Sequence, residues 1–399
     1  MSPPIKMPKP HLEVADILRH HIAEYRNTYP LAPDQHRIVS HLLHCRTPTL
    51  GGHIERCTHC GAQRILYHSC RNRHCPKCQH IPGERWLEKR QAELLPTSYF
   101  HIVFTLPHDL NLITLKNKSV MLSLLFKAVS ETLIRFGKKE LGGTLGFIAV
   151  LHTWDQQLKA HFHLHCLVPG GALCTKRKRW IPCKENYLFN QEALSLVFRG
   201  KFLDHFRRSA QRGKLNLEEA DSQVKSKLYK HNWVVSVRDP IPHAQHVLEY
   251  LARYTHRVAI ANSRLLALKD GMVSFRYKDR QNNILKQATL SAVEFIRRFL
   301  LHTLPQGFVR IRHYGFLANR DRTAHLTLIQ RLLKWPSPVR TVAHSLQDMM
   351  LQLTHIDITL CPCCKKGRMQ KIADILCYTG KHPYQFIRPP NTQALVTAT

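Results

Sequence analysis

The chain has 399 residues, and 59 Lys+Arg against 27 Asp+Glu give a formal charge of +32 at neutral pH. That balance excludes an enzyme acting on cationic substrates, and a hydrophobic content of 44% excludes a wholly disordered basic protein. The field of such a chain draws in polyanions, and Lys/Arg contacts to phosphate release counterions, so nucleic acid is the expected partner. A membrane is not, because the basic residues are spread along the chain and no apolar run nears the roughly 18 residues that cross a bilayer. The longest, Val120 to Phe126, stops at Lys127. The opening MSPPIKMPKPHLEVAD lacks the apolar segment and cleavage site of a secretory signal, which leads us to expect a reducing, cytoplasmic setting. There, 13 Cys and 28 His read first as metal ligands and not as disulfides.

In chain order, residues 11–45 predict two short helices. Leu12, Ala15, Ile22 and Tyr25 fall near helical spacing in the first, and Pro33 and Asp34 open the second before Ile38, Leu42 and Leu43. Such a pair either packs on a neighbour or holds a DNA duplex. Residues 46–80 read as irregular, with Gly51, Gly52 and Gly61 among Cys and His, and need a metal in place of an apolar core. The segment IPGERWLEKRQAELLP predicts a helix bounded by prolines. A strand at Tyr99 to Leu106, a helix near Lys116 to Phe136, and the strands LGFIAVLHTW and HFHLHCLV around the short polar DQQLKA follow. Helical stretches at 191–212 and 216–230 lead to the strand NWVVSV and a helix near His243 to Arg257. Alternation over 264–290 around Asp270-Gly271 predicts a hairpin. The tail is helical in parts, then Cys-rich, and disordered after about residue 386. The expected organisation is α+β in three regions: a helical and zinc-binding module (1–95), a central antiparallel sheet flanked by helices (96–300), and a basic, Cys-containing C-terminal region (301–399).

Cys57-x2-Cys60 and Cys75-x2-Cys78 are spaced so that two tight turns present four thiolates to one structural zinc. Cys70 and His74 lie in the same stretch and allow an additional site or an alternative ligand set. A second pattern, Cys361-Pro-Cys363-Cys364, offers Cys361 and Cys364 as a half-site whose other half is open, Cys377 and His382 being the nearby ligands.

In Ala160-His161-Phe162-His163-Leu164-His165-Cys166, period-2 alternation puts His161, His163 and His165 on one strand face and Phe162, Leu164 and Cys166 on the other. Pairing Trp154 with His161 across the turn would set His152 opposite His163, making His152 a third ligand beside His163 and His165, with His161 its rival. Imidazoles suit Zn, Mn, Fe, Ni or Cu better than Ca. Tyr250 and Tyr254 are i and i+4 on the expected helix, one turn apart, with Arg253, His256 and Arg257 close by.

Together these residues resemble the HUH superfamily of rolling-circle nucleases, through His163-Leu164-His165 and Tyr250-x3-Tyr254. More closely, SCRNRHCPKCQ, HFHLHCLVPGG, EYLARYTHRVAI and RIRHYGFLANRDR resemble the two-tyrosine transposases of bacterial insertion sequences, insertion sequence family ninety-one, from about residue 10 to 370. The resemblance implies an HUH-type sheet carrying His163 and His165 as ligands of a catalytic Mg²⁺ or Mn²⁺. It implies Tyr250 and Tyr254 as nucleophiles and Cys57, Cys60, Cys75 and Cys78 in a zinc module. The implied reaction nicks and rejoins single-stranded DNA at insertion-sequence ends through a 5′-phosphotyrosine link, with Arg253 or Arg257 favouring the phenolate and Trp154, Trp180 or Trp233 stacking on bases. A rolling-circle plasmid or phage replication initiator shares this chemistry. A non-catalytic zinc DNA-binding regulator would need neither the histidine face nor the tyrosine pair.

Overall fold

Helix α1 (Val14–Thr28) starts where the Asp16 carboxylate accepts from the Glu13 amide at 3.0 Å, and α2 (Pro33–His44) starts on Pro33, whose fixed φ suits a first turn. The computed structural model describes residues 12–218, 228–229, 232–242, 246–247, 258–279, 282–335, 345–377 and 387–388. A hairpin of β1 (Gly52–Cys57) and β2 (Gln63–Tyr67) precedes α3 (His80–Gln91). Next come β3 (Tyr99–Thr105), α4 (Asn111–Lys116), α5 (Lys118–Phe136), β4 (Gly146–Trp154) and β5 (Ala160–Pro169). A small hairpin, β6 (Gly171–Cys174) and β7 (Arg179–Pro182), leads to α6 (Gln191–Gln211), capped by Asn190 accepting from the Ala193 amide at 2.8 Å, and then to β8 (Val235–Val237). The remaining elements are β9 (Leu265–Lys269), β10 (Met272–Lys278), β11 (Leu285–Ser291), α7 (Ala292–Leu301), β12 (Ile311–Gly315), α8 (Arg322–Leu332), α9 (Leu346–Thr354), β13 (Met369–Ile375) and β14 (Ile387–Arg388).

The central sheet has the order β12-β4-β5-β3-β8, with every neighbouring pair antiparallel. Alternation divides it into two faces. Phe100, Ile102 and Phe104 of β3, Phe147, Ala149 and Leu151 of β4, and Phe162, Leu164 and Cys166 of β5 form a dry layer against α5 and α6. Each such Phe or Leu, almost fully buried, contributes about 1.5–3 kcal/mol relative to exposure. The opposite face carries the histidines. Trp233 belongs to the dry layer: it is buried, packs edge-on against Phe198, and donates its indole N–H to the Leu228 carbonyl at 3.1 Å. Trp180 packs edge-on against Phe316.

The helix pair α1 and α2 packs and does not stand free. Ile17, Leu18, Tyr25, Ile38, Val39 and Leu42 share a core with Phe275 of β10 and Phe295, Ile296 and Phe299 of α7. The hairpin expected at Asp270-Gly271 is the first turn of a three-stranded meander, β9-β10-β11; Asp270 (φ 50°) and Gly271 (φ 71°) take the left-handed backbone that a two-residue turn requires.

Segments from early and late in the chain meet in a third sheet, β14-β13-β1-β2, in which β13 lies antiparallel to β1 from Gly52↔Ile375 to Cys57↔Met369. The expected C-terminal region is therefore shared between bodies: β12 extends the central sheet on β4, and β13 extends the N-terminal hairpin. The disordered tail expected after residue 386 falls outside the described residues except for β14, and so do most of the helices expected at 216–230 and 243–257.

Candidate metal centres and the histidine face

The histidine face is built by register. His152 of β4 lies opposite His163 of β5, and His163 lies opposite Thr105 of β3; in the next row Val150, His165 and Val103 are aligned. Trp154 pairs with Ala160 and not with the expected His161, because a bulge between His152 and Trp154 absorbs one residue. The bulge leaves the His152–His163 pairing as the sequence predicts. One ligand nitrogen from each of His152, His163 and His165 lies within 4.8 Å of the others, and the ring centroids of His152 and His165 are 4.4 Å apart. His152 and His163 are buried, at 5% and 3% exposure, although they face a cleft of about 650 Å³. Trp154 and Trp233 also line it, as do the cations Arg238 and Lys278 and the carboxylates Asp155 and Asp279. His161 is not one of the three whose nitrogens converge, although its ring centroid lies 4.7 Å from that of His163; its ring stacks on His108 with centroids 5.5 Å apart.

Hydrogen bonds hold the rings. His163 Nδ1 lies 2.9 Å from the His161 carbonyl oxygen, which can only accept, so Nδ1 carries the proton and Nε2 keeps its lone pair. His165 Nδ1 lies 2.8 Å from His101 Nε2, with the two rings stacked 7° from parallel. A ligand role for His165 through Nε2 requires Nδ1 to donate to His101. Burial first, and then the nearby Arg238 and His152, push His101 down to about 3, keeping that acceptor neutral. His101 was absent from the candidate set, although strand alternation in YFHIVFTL places it on this face. The trio fits a divalent ion: imidazole donors converge from two adjacent strands, and neighbouring groups orient His163 and His165. Tyr250, Arg253, Tyr254 and Arg257 lie outside the described residues.

The cysteines group differently from the expectation. Cys75 and Cys78 do not share a site with Cys57 and Cys60; they join Cys70 and Cys45, the residue that closes α2. The reason is geometric: β1 and β2 form a hairpin that carries the Cys57/Cys60 turn away from the Cys75/Cys78 turn, while the end of α2 returns to it. Sulfur separations are 3.5 Å for Cys45–Cys78 and 3.7 Å for both Cys70–Cys78 and Cys45–Cys75. Four sulfurs about 2.3 Å from one tetrahedral zinc stand about 3.8 Å apart, whereas a disulfide holds them at about 2.05 Å. The spacing fits zinc. Thiols so crowded do not ionise independently: hydrogen bonds from its neighbours, Cys45 first, hold Cys78 below the ordinary thiol range, while its contact with Cys45 holds Cys75 above it. With four thiolate donors, such a site is structural.

His74 is not a ligand there. Its Nε2 accepts from the Leu304 amide at 3.4 Å, and burial, reinforced by Arg73, pushes it down to about 3. Arg73 donates to the carbonyls of Phe308 and Pro305, so this pair fastens the loop after α7 to the cysteine module. Cys45 escaped the sequence reading because it stands alone, with no C-x2-C partner, at a helix end.

A basic chain with a cysteine module at its start and a histidine-bearing antiparallel sheet at its centre defines a class, and the comparisons name it: a transposase. Residues 146–324 match the family model described as "Putative transposase", and residues 17–106 match "Transposase zinc-binding domain". The chain is 45% identical over 373 residues to "Putative transposase y4qJ" of Sinorhizobium fredii, covering 90% of this chain and 94% of that one. It is 27% identical over 342 residues to "Transposase for insertion sequence element IS801" of Pseudomonas savastanoi pv. phaseolicola, covering 82% and 80%. No solved structure matches the chain. The chain belongs to the IS91 family of transposases, and with it to the DNA-processing enzymes that carry a zinc-binding domain. The cluster of Cys45, Cys70, Cys75 and Cys78 lies wholly inside that domain. Among the described residues no helix is long and apolar enough to cross a membrane.

Proposed function

We propose that this transposase nicks and rejoins single-stranded DNA at insertion-sequence ends by tyrosine transesterification, giving rolling-circle-type transposition in the bacterial cytoplasm. The observation that carries the reading is the convergence of His152, His163 and His165 on one sheet face that lines a cleft. Mg²⁺ or Mn²⁺ held by these imidazoles would act as a Lewis acid on an oxygen of the scissile phosphate. His163 and His165 are the primary ligands, His152 is the third, and His161 lies outside the set.

The protein's own groups do the rest. Arg238 and Lys278 draw the phosphate backbone into the cleft, and Trp154, which stacks on His152 with centroids 5.1 Å apart, is the aromatic side chain beside the imidazoles that a base would meet. A phenol is a weak nucleophile at neutral pH, since its unperturbed pKa is about 10; Arg253 and Arg257, near Tyr250 and Tyr254 in sequence, favour the phenolate. Attack of one tyrosine oxygen on phosphorus forms the O–P bond as the bond to the 3′-oxygen breaks, leaving a 5′-phosphotyrosine and a free 3′-hydroxyl. Bond energy is conserved, so the strand is rejoined without an external source. The second tyrosine permits a second cleavage while the first link persists. Incubating the protein with labelled single-stranded insertion-sequence ends and Mn²⁺ or Mg²⁺ tests the reading on a denaturing gel. A metal-dependent covalent adduct is expected, and cleavage that leaves no adduct would refute it.

A further inference from the structure

The Cys57-x2-Cys60 turn does not lack partners. Cys57 Sγ lies 3.7 Å from Cys364 Sγ, and Cys60 Sγ lies 3.7 Å from Cys361 Sγ, across 307 and 301 residues of chain. We propose that these four thiolates bind a second structural zinc, which clamps the C-terminal segment to the N-terminal hairpin. The match to the zinc-binding domain ends at residue 106, so it leaves two of these four ligands unassigned.

Five observations show a built site. The sulfur separations are those of a tetrahedral thiolate set and far from a disulfide. The two turns have the same form: each C-x2-C pair is followed by a residue in the left-handed region, Gly61 at φ 72° and Lys365 at φ 56°. Backbone amides point at sulfur in both turns, His59 and Cys60 to Cys57 at 3.3 and 3.4 Å, and Gly367 to Cys364 at 3.4 Å, which stabilises thiolate over thiol. The turns are fastened directly to each other: the Thr58 amide donates to the Arg368 carbonyl at 3.0 Å, and the Arg368 amide donates to Thr58 Oγ1 at 3.1 Å. Finally, a Cβ at Gly367 would stand 2.5 Å from Cys57 Sγ and 2.7 Å from the His59 amide, so the approach of the two turns depends on glycine there.

The apolar support is too small to hold this arrangement alone. The buried residues around it are Cys57, Ala62, Cys361 and Met369, two of them ligands, so the free energy that joins the two segments comes from the metal and from the β1–β13 ladder. Cys377 is not a ligand; its thiol points to the Leu50 carbonyl at 3.6 Å. Cys363 is exposed. The clamp is independent of the DNA-cleavage reading, since it needs neither the histidines nor the tyrosines.

The test uses the full-length protein. Purified without chelator, it should hold about two zinc ions per chain, one for each cysteine quartet. Cys361→Ser/Cys364→Ser should retain about one, Cys57→Ser/Cys60→Ser should lose the same ion, and combining the four changes should lose no more. In the unsubstituted protein, which needs no variant to fold, Cys57, Cys60, Cys361 and Cys364 should resist alkylation together until a chelator is added, while Cys363 and Cys377 react at once. A single zinc in the parent protein, an unchanged zinc content in Cys361→Ser/Cys364→Ser, or alkylation of Cys361 and Cys364 at the rate of Cys363 would overturn the proposal.

Discussion

In the proposed reaction His163 is the residue on which cleavage turns: the His161 carbonyl accepts from its Nδ1, which leaves Nε2 as the nitrogen available to a metal. His163→Ala should lower the nicking rate by more than about 100-fold, the upper range for losing an outer-shell partner, and a Mn²⁺ titration should not restore it fully. His101→Ala should cost about 10–100-fold in metal affinity and be rescued by excess metal, because His101 orients His165 and does not itself join the trio. His161→Ala should leave the metal dependence unchanged. At this scale the histidine face was legible, because period-2 alternation assigns faces without knowledge of the fold. The cysteine partnerships were not. A C-x2-C pair announces two ligands but says nothing about which distant pair completes the tetrahedron, and Cys45 carries no spacing signal at all.

Helices α1 and α2 show what an element's surroundings add to its sequence. Their apolar stripes were readable, but the partner was not: β10 and α7 lie more than 200 residues downstream. Leu18, 1% exposed in that shared core, should cost about 2–5 kcal/mol when changed to Ala, read as a shift in the urea midpoint with unchanged slope. The Asp270-Gly271 turn was legible for the opposite reason, since a two-residue turn is specified by its own residues. Gly271→Val should destabilise the meander because a β-branched residue is strained at φ 71°. The β4–β5 register lies between these cases: alternation set the faces, but the bulge after His152 belongs to backbone geometry that residue types do not announce. The pairing of β1 with β13 had no local signature whatever, being a contact between segments some 300 residues apart.

Across the whole molecule, buried neutral histidines make the fold sensitive to acid. His302, 2% exposed and hydrogen-bonded to the Leu158 carbonyl at 3.0 Å, is pushed down to about 4, chiefly by burial. His313 is also held at about 4, by burial first and then by Arg90 and Arg322. The unfolded chain, with histidines near 6.5, binds more protons than the folded one between those values. Stability is therefore full above about pH 6.5 and is lost as pH falls toward 4, by up to about 1.4 kcal/mol per pH unit for each such group. His302→Gln should make the urea-derived stability profile shallower over that window, and an unchanged slope would show that His302 is not responsible. The excess of positive charge, legible from composition alone, fits the family's handling of DNA, but composition does not say where on the molecule a strand is cut. Mass spectrometry of the nucleotide-bearing peptide after reaction with single-stranded insertion-sequence ends addresses that most directly. The nucleotide should map to Tyr250 or Tyr254, and Tyr250→Phe/Tyr254→Phe should form no adduct while still binding the strand. An adduct on any other residue, or one that persists in the double variant, would contradict the mechanism.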